Sequence, residues 1–179
     1  MKRSEMNRAI ASAKNFFDQC GWVLPPAPEW DITDFGLGDF KTCGLVLVNL
    51  AEEAEYCEKI MYATRQQRTP AHCHKKKKED IICRAGKLAI ILWREDPAVQ
   101  GKDDLIEVKI NGQFQKLQSG AEIELAPGER ITIPSHLWHE FFPVSDECMI
   151  GEVSTANDDV NDNFFSNPDI GRFSNVIED

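Results

Sequence analysis

His72 and His74 stand one residue apart, four lysines follow, and Glu79 precedes Gly86 by six intervening residues. Side chains on a β-strand alternate between faces, so the two imidazoles of a His-x-His pair point the same way. A turn through the lysines lets Glu79 return on the next strand and aim a carboxylate at the same spot. His139 offers a further nitrogen some sixty residues on, and the chain has only four histidines in all. Three nitrogens and one carboxylate suit a divalent cation, which acts as a Lewis acid when coordination positions are left for a substrate. The spacing therefore predicts a divalent metal site on a β-scaffold.

The elements that must carry this site follow from the hydrophobic pattern. A helix is expected from a Ser4 cap to about Cys20, with Met6, Ile10, Ala13 and Phe17 on one stripe and Gly21 as its stop. Trp22 to Phe40 holds Pro25, Pro26, Pro28, Gly36 and Gly38 and reads as an irregular arm, too aromatic to hang free. From Gly44 the period changes to that of strands. About ten are expected: 45–48, 57–63, 72–74, 80–85, 88–93, 105–110, 122–125, 130–133, 138–144 and 148–154. Asn111 to Gly120 reads as a hairpin connection. The expected organisation is one domain over 1–179, with helix and arm in 1–43, a β-barrel in 44–154 and an acidic tail in 155–179. Short strands at this spacing point to an all-β sandwich or barrel.

At 179 residues one well-buried domain suffices, and a net charge of −10 argues against nucleic acid as a partner. No apolar run reaches the length of a membrane span. The six cysteines form no C-x-x-C pair and no signal peptide opens the chain, so reduced thiols and a cytoplasmic location are expected.

The His-x-His, Glu and Gly spacing resembles the first motif of the cupin superfamily. Gly128, Pro134 and His139 resemble the second, although His136 replaces a glycine and Pro143 replaces an asparagine. The resemblance implies a cupin jelly-roll barrel with His72, His74, Glu79 and His139 as metal ligands. A longer likeness covers nearly the whole chain. The helix and Trp-Pro arm, the Thr69-Pro70-Ala71-His72-Cys73-His74 approach, and the ending Gly151-Glu152-Val153-Ser154 with Asn157, Asp158, Asp159, Asp162 and Asn163 resemble the D-lyxose isomerase family. That resemblance implies a manganese enzyme interconverting D-lyxose with D-xylulose, and often D-mannose with D-fructose. A homodimer is expected because cupins often pair through their sheets.

An isomerase of this kind needs a group that moves a proton between C2 and C1. Glu152, in the last long strand, is the first candidate and Lys59 the second. Lys59, Asp159 and Asp162 are candidates for binding the hydroxyls of a free pentose or hexose. The structural alternatives are an arginine partner for Glu152, an edge-strand role for Lys59, and turn capping by the aspartates. Lys75 to Lys78 reads as a solvated turn, and as a phosphate clamp in the version where the substrate is a sugar phosphate. His136 reads as a turn residue. An iron-dependent oxygenase and a non-catalytic sugar-binding protein use the same ligand set and stand as rival functions.

Overall fold

The computed structural model describes residues 1–99, 104–155 and 157–179. Helix α1 spans Arg3–Gln19, strand β1 Glu29–Thr33 and the short helix α2 Phe40–Cys43. Then come β2 (Leu45–Glu52), β3 (Tyr56–Thr64), β4 (His72–Cys73), β5 (Glu79–Ala85) and β6 (Leu88–Trp93). The second half holds β7 (Leu105–Ile110), β8 (Gln113–Gln118), β9 (Glu122–Leu125), β10 (Arg130–Ile133), β11 (Trp138–Pro143), β12 (Glu147–Thr155) and β13 (Phe164–Phe165).

The strands form an eight-stranded sheet, β1-β2-β3-β12-β5-β10-β7-β8, and a five-stranded sheet, β13-β4-β11-β6-β9. The ladders of the two sheets do not join into one closed barrel. Side-chain parity explains how β2 and β3 serve two cores. Leu45, Leu47 and Met61 face the interior between the sheets, with Ile81, Ile90, Leu92 and Ile150. Val46, Val48, Ile60 and Tyr62 face the other way, against Met6, Ala13 and Phe17 of α1. Being covered on both faces, these strands read as continuous apolar runs instead of alternating ones.

Helix α1 ends as expected, with Gly21 at φ +71° and its N–H bonded to the Asp18 carbonyl. Its start is different. Ser4 lies inside the helix, and Asp179 accepts from both its backbone N–H (2.9 Å) and its hydroxyl (2.8 Å). The cap therefore comes from the far end of the sequence. The arm expected to be irregular contains β1, which pairs with β2 from Glu29↔Asn49 to Thr33↔Leu45. The expected 111–120 connection contains β8, paired with β7.

Two motif positions acquire a physical reason. Gly86 has φ +82°, and a Cβ there would lie 2.4 Å from the Glu147 carbonyl oxygen. His136 has φ +68°, a left-handed conformation that favours glycine. It is a turn residue as expected, its N–H bonded to the His74 carbonyl at 2.6 Å.

Candidate active site

Each sheet contributes one half of the site. On the five-stranded sheet, His72 of β4 and His139 of β11 are direct cross-strand partners, their rings 4.1 Å apart. His74 follows at the end of β4. On the eight-stranded sheet, Lys59 of β3 lies directly opposite Glu152 of β12, which in turn faces Ile81 of β5. Glu79 points to the same interior face as Ile81, two residues on. One donor atom from each of His72, His74, Glu79 and His139 falls within 4.8 Å of every other.

The hydrogen bonds of the imidazoles fix which nitrogen is offered. Nδ1 of His72 meets the Pro70 carbonyl at 2.8 Å, that of His74 the Asp162 carbonyl at 2.6 Å, and that of His139 the Leu137 carbonyl at 3.1 Å. A carbonyl only accepts, so each Nδ1 carries the proton and each Nε2 presents a lone pair. His139 Nε2 then lies 2.7 Å from Glu79 Oε1, yet both atoms are buried without a hydrogen-bond partner among the described residues. Two acceptors aimed at each other in a buried site make sense when a cation lies between them. The donor set, three neutral imidazoles and one carboxylate, fits a divalent metal. Burial holds His72 and His74 below the ordinary histidine range, which favours the neutral, ligating form.

Next to this cluster stands a lysine that the sequence reading assigned to solvent. Lys75, Lys76 and Lys78 are exposed, but Lys77 is buried. Its Nζ lies 3.0 Å from Glu79 Oε2 and 3.0 Å from Glu152 Oε1. The turn is thus only partly solvated, and the four lysines do not converge as a phosphate clamp. The ammonium of Lys75 instead sits over the Phe164 ring at 3.9 Å. Burial works against ionising Glu152, but Lys77 and Lys59 outweigh it and hold the carboxyl below the usual range. Glu79 is likewise held well below it against burial, by Lys77 and the histidines.

The alternation of charge continues along the cavity. Lys59, 3 % exposed, reaches Asp159 at 3.2 Å and Asn157 at 3.2 Å. Asp159 also meets Arg172 at 3.4 Å, and Arg172 meets Asp31 at 2.6 Å. Lys59, His72, His74, Glu79, Glu152 and Asp159 line one cavity. Phe35, Leu47, Met61, Phe141 and Phe165 supply its apolar walls. Lys59 is therefore no edge lysine, and the partner of Glu152 is a lysine instead of an arginine.

Asp162 departs from its expected role. Its carboxylate accepts from the backbone N–H groups of Lys75, Lys76 and Lys77 at 2.9 to 3.2 Å. It caps the turn between His74 and Glu79 and is not among the residues lining the cavity. Sequence reasoning also missed Lys77, Asn163 and Arg172 as cavity residues. For Lys77 a signal existed, because two positions before Glu79 is the same face at strand period. Arg172 lies in the tail after β13 and carries no such mark. All six cysteines are free, as expected, with five buried; burial pushes the Cys57 and Cys73 thiols up to about 11.

The Asp159 pairings have a measurable consequence. Burial would raise its carboxyl, but Lys59 and Arg172 prevail and hold it well below the usual range. The stabilisation is full above the unfolded carboxylate value of about 3.9 and is lost as pH falls through the depressed folded value. Asp159→Asn is expected to cost about 1–2 kcal/mol at pH 7. It should also flatten the fall in melting temperature on acidification below about pH 4. Thermal melts of both proteins from pH 2 to pH 7 check this; parallel curves would remove Asp159 from the acid response.

Comparison with known proteins gives a consistent result. The D-lyxose isomerase family profile matches residues 27–179. The chain is 35% identical to a D-lyxose/D-mannose isomerase of Escherichia coli O157:H7, covering 100% of this chain and 93% of that protein. It is 28% identical to a D-lyxose ketol-isomerase of Cohnella laeviribosi, over 99% and 98% of the two chains. Among solved structures, Cellulomonas parahominis L-ribose isomerase with L-ribose superposes with a TM-score of 0.74 at 14% identity. The overlap covers 99% of this chain and 98% of that one, a likeness that shows the shared cupin-type fold.

Proposed function

Because the chain belongs to the D-lyxose isomerase family and is a sugar isomerase, we propose that it interconverts D-lyxose and D-xylulose with the help of a divalent metal, manganese. D-mannose and D-fructose form a second substrate pair in this reading. The observation that carries it is the buried Glu152 carboxyl set beside the four-residue cluster, with Lys77 Nζ 3.0 Å from both Glu79 and Glu152.

His72, His74, Glu79 and His139 would hold the ion. When bound, it would supply Lewis-acid polarisation of the sugar carbonyl, which acidifies the neighbouring C–H. Glu152 then acts as the base. It takes the C2 proton of the open-chain aldose, and the C2–H electron pair becomes the C1–C2 double bond of an enediolate. Transfer of the O2 proton to O1 and return of the Glu152 proton to C1 complete the ketose, so no atom is gained or lost.

Lys77 keeps Glu152 ionised between turnovers and fixes the carboxylate against rotation. Lys59, buried beside Asp159 and Asn157, donates to sugar oxygens. The apolar walls of Phe35, Phe141 and Phe165 limit water at the carbanionic step. The polar lining of two lysines, an arginine and three acids suits a polyhydroxylated substrate better than the apolar one an oxygenase would favour. Proton NMR of D-lyxose with manganese-loaded protein tests the reading. D-Xylulose should accumulate to equilibrium, and D-lyxose left unconverted would contradict the proposal.

A further inference from the structure

Lys75, Lys76 and Lys77 offer three successive backbone N–H groups to one spot, a concave arrangement that takes an anion. Asp162 fills it from 85 to 87 residues away. Its Oδ1 accepts from Lys75 at 2.9 Å and its Oδ2 from Lys77 at 3.0 Å, while both oxygens accept from Lys76, at 3.2 and 3.1 Å. Asp162 is 3 % exposed and its bond to Lys77 is buried, so removing the carboxylate leaves a buried donor unpaired.

The same residue holds an imidazole of the four-residue cluster. His74 Nδ1 donates to the Asp162 carbonyl at 2.6 Å, which leaves Nε2 facing Glu79 Oε1 at 3.7 Å. Main chain and side chain of one residue therefore set two things together. One is the ring of His74, and the other is the turn that carries Lys77 inward and leads into Glu79.

Asp162 is anchored in turn on both sheets. Its N–H donates to the Asp158 carbonyl at 2.9 Å, and Asn163 Nδ2 donates to the Asp159 carbonyl at 2.9 Å. Asp159 pairs with Lys59 of β3, on the eight-stranded sheet. Phe164 and Phe165 pair with Cys73 and His72 of β4, on the five-stranded sheet. The tail segment 158–165 thus runs from one sheet to the other as a latch, with Asp162 in its middle. Asp159, Asn163 and Phe165 of this latch line the cavity.

We infer that Asp162 is a positioning residue that couples this latch to the metal cluster, so that the closed latch sets His74 for the ion and the ion in turn tightens the latch. The coupling rests on the metal reading above and on no step of sugar turnover. Its two directions are bound together, because a contact that favours the bound ion is favoured by the ion to the same factor. Removing the partner behind a metal-binding histidine weakens metal binding by about 10- to 100-fold. A turn cap with no such coupling would stabilise the tail equally with and without metal.

The test reads free Mn²⁺ by electron paramagnetic resonance during titration of wild type, Asp162→Ala and Asp162→Asn. Hydrogen exchange of the peptide covering residues 75–77 is followed in metal-free and Mn²⁺-loaded wild type. Asp162→Ala keeps the carbonyl but loses the grip that places it, and should bind Mn²⁺ about 10- to 100-fold more weakly. Asp162→Asn keeps one acceptor oxygen for the three N–H groups and should fall between. In wild type, Mn²⁺ should slow exchange at 75–77 by a comparable factor. A folded Asp162→Ala that binds within about threefold of wild type, well short of a lost partner, would overturn the inference. Exchange at 75–77 that is indifferent to Mn²⁺ would overturn it with no variant needed, so a failure of Asp162→Ala to fold leaves it decidable. Wild type that binds no Mn²⁺ would overturn it together with the metal reading. Coupling observed in a protein that leaves D-lyxose unconverted would uphold it and sink the isomerase reading alone.

Discussion

Glu152→Gln is expected to cut kcat for D-lyxose by about a thousandfold, within the range for loss of a positioned acid–base group, and to leave KM nearly unchanged. Glutamine keeps the shape and can still accept from Lys77 through its amide oxygen, so the cavity should be preserved. What disappears is the lone pair that removes the C2 proton, a contribution made in the transition state alone. The buried position of Glu152, 6 % exposed, leaves little room for solvent to replace it. Steady-state kinetics on protein of unchanged melting temperature check this. A loss of less than about fivefold in kcat would reduce Glu152 to a counter-ion for Lys77, below the smallest effects expected of a general base.

Lys77→Met should be the most damaging change to stability in the metal-free protein. Lys77 Nζ is 3.0 Å from each of two buried carboxylates, so its loss leaves Glu79 and Glu152 facing each other across an apolar side chain. Breaking a buried ion pair by removing one partner costs about 3–5 kcal/mol. In a chain of this size that is a fall of very roughly 6–20 °C in melting temperature. Burial would then dominate at Glu152 with one of its two opposing cations gone, and its carboxyl should rise. The acidic limb of the kcat profile should accordingly move to higher pH. Lys77→Arg, which keeps the charge, should hold the limb in place even if it lowers the rate. A destabilised Lys77→Met with an unmoved limb would mean that the lysine serves folding alone.

These two residues also show how far the sequence could be read. The cluster of His72, His74, Glu79 and His139 was legible because strand parity is rigid, and the structure draws all four together as residues that could hold a metal. Glu152 was legible for the same reason. Lys77 obeyed that parity too, but four lysines in a row look like solvent, and only the two buried carboxylates reveal why one of them turns inward. Asp162 and Arg172 depend on how the tail returns over the site, which no local pattern encodes.

The fold divides in the same manner. The apolar runs of β2, β3, β5, β6 and β12 announce themselves, whereas β1 hides in a proline-rich arm. Strand β8 is exposed at nearly every position and has no buried face to pattern. The two residues of β13 become a strand only by pairing with Cys73 and His72 of β4. The helix cap from Asp179 is a tertiary contact that replaced the local one expected of Ser4.

The central claim, that the four-ligand cluster supports aldose–ketose isomerisation, is tested most directly by metal removal and return. Protein stripped with a chelator should not convert D-lyxose, and adding Mn²⁺ should restore D-xylulose formation until about one ion is bound per chain, as one four-residue site among the described residues requires. His74→Ala, lacking one of the three imidazoles, should neither hold the ion nor regain activity under the same conditions. Conversion of D-lyxose that survives complete chelation would contradict the account.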